Sequence, residues 1–199
     1  MKREELCLNP FDQFEAWFEK ANLSSGLRYP NACCLSTLNE AGYPEGRIVL
    51  MKEFNEKGFT FYTNSFSNKG KALAKLPKAA LTFYWDILAQ QVRIQGDVSF
   101  VPDSETDMYF ASRPREAQIG AWASKQSEVL EKREVLEARI HELNATYSEQ
   151  PVPRPPHWRG FLLRPLRIEF WQERPARLHD RFVYTRLRDD TWEISRLYP

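Results

Sequence analysis

Five short runs rich in β-branched and aromatic residues follow one another between residues 32 and 100, and turn sequences separate them. We predict strands at 32–38, 46–51, 59–64, 79–85 and 91–100. The segments 39–42 and 55–58 each combine Asn with Gly, as tight turns between strands do. Closely spaced strands joined by short turns indicate an antiparallel meander or barrel.

Helical patterns flank and interrupt these strands. Asn9 and Pro10 are suited to cap and start a helix, on which four aromatic side chains share one stripe: Phe11, Phe14, Trp17 and Phe18. Further helices are predicted at 69–76, 104–110 and 127–147. The last of these has an apolar seam formed by Val129, Leu136, Ile140, Leu143 and Tyr147.

The C-terminal part of the chain returns to strand patterns. A proline-rich connector, 151–156, precedes predicted strands at 161–163, 167–171, 182–187 and 192–197. Because few residues follow the connector and they form strands again, we expect one domain over residues 1–199. The predicted fold is mainly β (α+β), an antiparallel barrel, closed or split, with peripheral helices.

Composition excludes several classes of function. The 28 Lys and Arg residues nearly balance 27 Asp and Glu residues, so the broad positive field of a general nucleic-acid binder is not expected. The longest mostly apolar run, 79–85, is far shorter than the roughly 18 residues that cross a bilayer. The spacing of the three His residues predicts no metal site. Three Cys residues, an odd number, favour a reducing compartment, the cytoplasm.

Candidate anion sites begin with residues 69–71, Lys-Gly-Lys, which open a predicted helix directly after a polar segment. Lysines and free amides at a helix start can hold a phosphate, although a plain helix start explains the same residues. Arg47 and Lys52 lie on one predicted strand and face opposite sides if that strand is regular. Charged ends of an apolar strand are the alternative there.

Two further clusters combine planar donors with aromatic residues. The first cluster consists of Tyr109, Arg113, Arg115, Gln118, Trp122, Lys125, Gln126 and Ser127. Its residue types suit a flat polar ligand that carries an anionic group, and the alternative is a surface loop with solvated arginines. In the second, Arg177, His179 and Arg181 share one face if the segment is extended. Two arginines on the same side of a histidine repel one another, so we expect this arrangement only where a bound anion compensates their charge. The alternative is that His179 has a structural role.

Six motifs, taken in chain order, resemble the pyridoxamine 5′-phosphate oxidase family: RIVLMK, FYTN, SRPREAQIGAWASKQS, IEFWQ, RLHDRF and the terminal RLYP. The resemblance implies a homodimeric split barrel of Greek-key type with FMN at the subunit interface. It implies oxidation of pyridoxamine or pyridoxine 5′-phosphate to pyridoxal 5′-phosphate, by hydride transfer from substrate C4′ to flavin N5. Dioxygen then reoxidises the flavin and gives hydrogen peroxide.

The resemblance also implies roles for single residues. Positions that match flavin-binding residues are Arg47, Ile48, Val49, Leu50, Met51, Lys52, Tyr62, Thr63, Lys69, Gln91, Gln126, Ser127, Trp171 and Arg181. Positions that match substrate-phosphate residues are Lys52, Tyr109 and Arg113. Arg177 and His179 match residues beside the reacting carbon, where we expect them to orient the substrate and stabilise charge.

Two positions depart from the family pattern. Asn68 stands where the family usually has Arg before the flavin-phosphate lysine, and Ala117 stands where it usually has Ser at the substrate phosphate. We expect a weaker flavin contact and a higher Michaelis constant. Two other functions remain open: another flavin-dependent reductase on the same barrel, or a non-catalytic module that binds pyridoxal phosphate or flavin.

Overall fold

Nine strands form one antiparallel sheet, and five α-helices pack around it, in a computed structural model that describes residues 1–199. The strands are β1 (Ala32–Leu38), β2 (Pro44–Leu50), β3 (Glu53–Asn55), β4 (Gly58–Asn64), β5 (Lys78–Trp85), β6 (Gln90–Phe100), β7 (Trp158–Gln172), β8 (Asp180–Arg186) and β9 (Trp192–Leu197). The helices are α1 (Pro10–Leu23), α2 (Asn68–Lys75), α3 (Asp103–Ala111), α4 (Arg115–Ala123) and α5 (Arg133–Thr146).

The sheet curls so that its two end strands meet. Its strand order is β2-β1-β5-β6-β7-β4-β3, and only Met51 and Lys52 separate β2 from β3 along the chain. The Lys52 amide also donates to the Thr60 carbonyl on β4 at 2.9 Å. β5 lies beside β1 although it follows β4 in sequence, as in a Greek-key barrel. The antiparallel split barrel with peripheral helices is therefore confirmed.

The longest strand, β7, joins the barrel to its C-terminal extension. Residues 158–163 pair with β4, residues 167–172 pair with β8, and β6 runs along the other edge of both parts. The two strands predicted at 161–163 and 167–171 are thus one strand. A register shift between Gln95 and Gly96 leaves Leu166 of β7 without a register partner on β6, and a Cβ on Gly96 would lie only 1.9 Å from the Arg164 carbonyl oxygen. Glycine is required at this bulge.

Alternating burial gives the sheet an apolar inner face, which α1 covers. On β6, Val92 and Ile94 are fully buried while their neighbours are not. Asn9 caps α1 as predicted, because its Oδ1 accepts from the Phe11 amide at 2.9 Å. Phe14 then lies fully buried against the inner aromatic residues of the sheet. Burial of such a side chain contributes about 1.5 to 3 kcal/mol to folding.

The prediction of a helix from residue 127 is wrong, since α5 begins at Arg133. Ser127 has a φ of 76°, which no α-helix contains, and Val129 of the predicted seam is 95% exposed. The apolar spacing runs on beyond the helix without a proline or glycine to mark its start. Two elements lacked a prediction: the three-residue β3, and α4, which occupies part of the second cationic cluster.

The segment before β8 is a turn and not an extended strand. Residues 175–177 form a single 3₁₀ turn in which Ala176 and Arg177 have φ values of 56° and 60°. β8 begins only at Asp180. The prediction that Arg177, His179 and Arg181 share one face by strand alternation is therefore wrong, because alternation requires an extended backbone.

No helix of the structure combines the length and the apolar character that a membrane crossing requires.

Candidate active site

A polar pocket at the start of α2 collects several predicted flavin-binding residues. The Lys69 Nζ lies 2.8 Å from Gln126 Oε1, 3.2 Å from Thr63 Oγ1 and 3.2 Å from Ser67 Oγ. Thr63 is the penultimate residue of β4, and the Ser67 side chain caps α2 by accepting a hydrogen bond from the Gly70 amide. Gln126 approaches from the segment after α4, so distant parts of the chain converge on one ammonium group.

The backbone of the same pocket is held closely together. The Asn68 amide donates to Ser127 Oγ at 3.3 Å, which brings two more predicted positions next to Lys69. Gly70 permits the first turn of α2 to approach the link that follows β4, because a Cβ there would lie 2.3 Å from the Ser65 carbonyl oxygen. The Asn68 side chain faces a separate cavity beside Lys71 and Glu45. Lys71 is thus on the Asn68 side of the helix, apart from Lys69.

The electrostatics of this pocket favour an anion. Burial, and secondly the positive charge of Arg47, lower the pKa of Lys69. Arg47 lies on β2, where its Nη2 pairs with Glu45 Oε2 at 2.9 Å and its Nη1 donates to Thr37 Oγ1 at 2.7 Å. A bound phosphate would offset both effects, because its negative charge beside the Lys69 ammonium would raise the pKa of that group again.

A stack of aromatic rings forms the second part of the site. The Tyr62 ring centroid lies 4.1 Å from that of Tyr109 and 5.0 Å from that of Trp158, and the last two are 6.0 Å apart, so the three nearly parallel rings form a triangular cluster. Burial, followed by the charge of Glu53, raises the pKa of Tyr62, so its hydroxyl stays protonated at neutral pH. The guanidinium of Arg113 continues the stack, 4.8 Å from the centre of the Trp158 ring.

Arg113 has an unused donor in this stack. Its Nη1 is buried without a hydrogen-bond partner, and burial lowers the pKa of the guanidinium, which nevertheless stays charged. Arg113 lines a cavity of about 380 Å³ together with Ala117, Tyr62, Thr63 and Gln126. One cavity therefore connects Arg113 with Gln126, the residue that holds Lys69. Ala117 offers this cavity only a methyl group.

The remaining predicted positions of the first half flank the barrel seam. Ile48 is exposed, Val49 and Leu50 are half-buried, and Met51 is buried. Lys52 is exposed on the link to β3. Because β2 ends at Leu50, the regular strand assumed for Arg47 and Lys52 does not continue between them.

The third group of predicted residues lies on the C-terminal extension. Gln91 on β6, Trp171 on β7 and Arg181 on β8 are direct neighbours in register across three strands. The His179 ring lies 4.6 Å from the Trp171 ring, and its Nδ1 accepts from the Arg174 amide at 3.2 Å. These four residues are brought together.

Arg177 projects from the turn that precedes β8, where it is exposed. The turn is fixed at its end by Asp180, whose carboxylate accepts from Arg174 Nε at 2.7 Å and from Arg196 Nη2 at 2.6 Å. A buried carboxylate with two arginine partners makes a firm anchor. The positive φ of Arg177 therefore belongs to an ordered turn and not to a free loop.

One chain does not bring the Lys69 and Arg113 half together with the Trp171 and Arg181 half. Trp158 belongs to the first half and Trp171 to the second, and they lie near opposite ends of β7. Measured along an extended strand, at about 3.3 Å per residue, roughly 40 Å lies between them. Within one chain the two halves are therefore separate groups of residues.

Sequence reasoning missed two residues of the first half. Trp158 follows the proline-rich connector, and no local pattern connects it with Tyr62, almost a hundred positions earlier. Ser67 was noted only as part of a polar segment, although a Ser before Asn-Lys-Gly-Lys is a helix-cap signal that could have identified it.

Comparison with protein families places the chain. A family model described as pyridoxamine 5′-phosphate oxidase matches residues 20–147, more than half of the sequence. The chain belongs to the pyridoxamine 5′-phosphate oxidase family. A second model, described as the pyridoxine 5′-phosphate oxidase C-terminal dimerisation region, matches residues 158–199, which comprise β7, β8 and β9. The resemblance drawn from the six motifs is confirmed.

Curated members of the pyridoxamine 5′-phosphate oxidase family are similar over nearly the whole chain. A protein of Trichormus variabilis named pyridoxine/pyridoxamine 5′-phosphate oxidase is 52% identical over 195 residues, 98% of this chain and 91% of that protein. One of the same name from Burkholderia thailandensis is 54% identical over 193 residues, 96% of this chain and 89% of that protein.

Solved structures agree with this membership of the oxidase family. PhzG from Burkholderia lata, solved in complex with tetrahydrophenazine-1-carboxylic acid, superposes with a TM-score of 0.91 at 31% identity, covering 98% of this chain and 95% of that one. A pyridoxamine 5′-phosphate oxidase-related, FMN binding protein from Nostoc punctiforme has a TM-score of 0.76 at 18% identity, covering 98% and 100%. The second likeness concerns the fold alone.

Proposed function

We propose that this chain, as one domain, is an FMN-dependent oxidase that converts pyridoxamine 5′-phosphate and pyridoxine 5′-phosphate to pyridoxal 5′-phosphate. Bound FMN would supply the redox chemistry, which is acceptance of a hydride from substrate C4′ and transfer of both electrons to dioxygen with release of hydrogen peroxide. With the amine substrate, water then replaces the nitrogen and ammonia leaves. The free thiols Cys7, Cys33 and Cys34 agree with a reducing compartment such as the cytoplasm.

The observation that carries the proposal is a cavity of about 380 Å³ that is lined by Arg113 and by Thr63 and Gln126, which both accept hydrogen bonds from Lys69. Arg113 offers a buried N–H without a partner at one site, and Lys69 is a desolvated ammonium behind Gln126 at the other. Flavin mononucleotide and the substrate each carry one phosphate. Two fixed cation sites around one cavity match this pair of anions.

The residues beside Lys69 fit the phosphate end of FMN. Lys69 would pair with the phosphate, while Thr63, Gln126 and Ser127 provide short polar side chains around it. A phosphate there would favour the protonated form of Lys69 and so oppose the lowering of its pKa by burial. Residues 47–51, with Arg47 turned into the barrel end beside Lys69, would follow the flavin along β2.

Arg113 would bind the substrate phosphate, with Tyr109 and Lys52 as its predicted companions. Ring stacking leaves the N–H groups of Arg113 free in the plane of the guanidinium. Arg177 and His179 would orient the pyridine ring and stabilise the charge that develops at C4′. Because His179 Nδ1 already accepts a hydrogen bond from the Arg174 amide, its Nε2 is the ring nitrogen that remains for the substrate.

Each active site would contain residues of two subunits. Gln91, Trp171 and Arg181 match flavin-binding positions but lie roughly 40 Å along β7 from the Lys69 half. A homodimer in which β7 to β9 of one copy meet the cavity of the other brings both halves around one flavin. The match of residues 158–199 to a dimerisation region supports this assembly.

The direct test is to purify the protein, record the absorption spectrum of bound flavin, and follow pyridoxal 5′-phosphate and peroxide from pyridoxamine 5′-phosphate in air. We expect bound FMN and turnover. Tetrahydrophenazine-1-carboxylic acid serves as the competing substrate, because PhzG was solved with it. Flavin with turnover of that acid alone would favour an oxidase with another substrate, and flavin with no turnover would favour another reductase or a carrier.

Arg177→Leu tests the role given to the turn. We expect turnover to fall by about two orders of magnitude or more, because the substrate loses its positioning cation, while FMN stays bound. Steady-state kinetics and the flavin spectrum measure the two effects separately. Retained turnover would remove Arg177 from the reaction.

A further inference from the structure

Glu169 is a charged residue buried in the C-terminal extension. It lies on β7, between the core residues Ile168 and Phe170, and only 2% of its surface is exposed. Its side chain points to the opposite face from theirs, because neighbours on a strand alternate. No predicted role covers Glu169, although burial of an unpaired carboxylate would be costly.

Three arginines of adjacent strands surround this carboxylate. Arg181 on β8 approaches closest, with Nε donating to Oε1 at 2.9 Å and Nη2 at 2.7 Å from the same oxygen. Arg167 Nη2 and Arg93 Nη1 lie 3.6 Å and 3.9 Å from Oε2, too far for a hydrogen bond. Oε2 accordingly has no hydrogen-bond partner. The firm contact of Glu169 is therefore with Arg181.

That contact fixes the direction of the Arg181 guanidinium. Nη1 is held on the opposite side by the Tyr198 carbonyl at 3.1 Å, so the group is fastened at two points. Of its five N–H groups, those engaged are the one on Nε, one on Nη1 and one on the Nη2 that contacts Glu169, so one on each terminal nitrogen remains for an acceptor. They lie in the row that Arg181 shares with Trp171 and Gln91.

We propose that Glu169 is a positioning residue for FMN: it holds Arg181 so that the free N–H groups of the guanidinium meet the flavin. This rests on the proposed function, in which Arg181 binds the flavin. A buried ion pair adds little to stability compared with apolar residues of the same size. An oriented donor, in contrast, contributes to ligand affinity because its rotamer is already fixed before binding.

The test is a double-mutant cycle on FMN affinity, measured by quenching of flavin fluorescence on titration of the full-length apoprotein. Its variants are Glu169→Gln, Arg181→Gln and the double variant. We expect each single variant to weaken FMN binding by about tenfold, as for the loss of one charge-assisted hydrogen bond. We expect the double variant to be no weaker than Arg181→Gln alone, because Glu169 acts through Arg181.

A structural role would give a different pattern. If Glu169 had only a structural role, Glu169→Gln would weaken FMN binding by the same factor whether Arg181 is present or not. The losses of the two single variants would then multiply in the double variant, and that result would overturn the proposal. Unchanged affinity of Glu169→Gln would also overturn it. If the wild-type apoprotein binds no FMN, the proposed function fails and the proposal fails with it, whereas loss of binding only in Arg181→Gln contradicts the proposal alone.

Two controls separate folding from positioning. Asp97→Asn removes a carboxylate of β6 that pairs with Lys78 at 2.8 Å on the exposed surface, and should leave FMN affinity unchanged. Should Glu169→Gln fail to fold through repulsion among the arginines, Glu169→Gln with Arg93→Gln removes one of those charges. That variant should fold and still bind FMN about tenfold more weakly than Arg93→Gln alone.

Discussion

Arg113 is half-buried, and its guanidinium packs against aromatic rings and forms no ion pair with a carboxylate. Its guanidinium lies 4.8 Å from the Trp158 ring centre and 5.6 Å from that of Phe110. A cation held over a ring keeps its charge uncompensated by any fixed anion. The buried Nη1 is therefore available to a ligand phosphate.

Arg113→Lys tests this arrangement at the level of one residue. Lysine keeps the charge but loses the planar fork, so we expect the Michaelis constant for pyridoxamine 5′-phosphate to rise by about tenfold or more. FMN affinity should stay unchanged, as measured by fluorescence titration. Weaker FMN binding with an unchanged Michaelis constant would instead show that Arg113 binds the flavin and not the substrate.

Lys69 predicts a pH dependence of FMN binding. Burial and Arg47 lower its pKa in the free protein, and a bound phosphate raises it, so binding takes up a proton between these two values. FMN affinity should therefore fall as pH rises through the lowered pKa of Lys69, at a pH below that at which an ordinary lysine loses its proton, about 10.4. Fluorescence titration across this range measures the effect.

Lys69→Arg is the matched control for that dependence. Arginine stays protonated throughout, so the fall in affinity over the same range should disappear. An identical fall in both proteins would show that another group is responsible.

At the scale of elements, β7 and its partner β6 position both halves of the site. β7 carries Trp158 at one end and Trp171 at the other, and β6 stays paired with it across the bulge at Gly96. The bulge depends on the absence of a side chain, since the Arg164 carbonyl occupies the place of a Cβ. The geometry of the site therefore depends on one glycine far from any predicted ligand.

Gly96→Ala should lower the free energy of unfolding by at least about 2 kcal/mol, because backbone must move to admit the methyl group. Urea denaturation measures the change. Gly120→Ala on α4 is the control, since nothing lies within 4 Å of a Cβ there and alanine favours a helix by up to about 1 kcal/mol. Equal stability of the two variants would contradict the role given to the bulge.

The whole molecule is expected to work as two copies. The Lys69 half and the Arg177 half lie at opposite ends of β7, so each chain would give one half to each of two sites. In a mixed dimer of two variants defective in different halves, one site receives both defects and the other receives none.

Complementation tests this assembly. Arg113→Gln and Arg177→Leu should each be nearly inactive, and their mixture after subunit exchange should recover roughly a quarter of wild-type activity, because half of the dimers are mixed. A mixture of Arg113→Gln with Lys69→Gln should recover nothing, since both defects lie in the same half. No recovery in the first mixture, with mixed dimers present, would mean that each site is built within one chain.

Local signals determined much of the fold from sequence. Asn9 and Pro10 started α1 where predicted, and β1 has the predicted bounds, since caps and alternation act over a few residues. The motifs also predicted the family. Local signals failed where a backbone conformation lacked its usual residue, as at Ser127 and Arg177, which have positive φ without being glycine.

Only the tertiary structure decided which residues act together. Lys69 meets Gln126 across 57 positions, and Trp158 joins the stack of Tyr62, through contacts that no local pattern encodes. It also separated the predicted site into two halves and gave Glu169 a partner in Arg181. The physical reason is that hydrophobic periodicity and helix caps depend on residues that are neighbours in the chain. Which charges meet, which side chains are buried and which groups can contact one another depend on the register between strands that are distant in sequence.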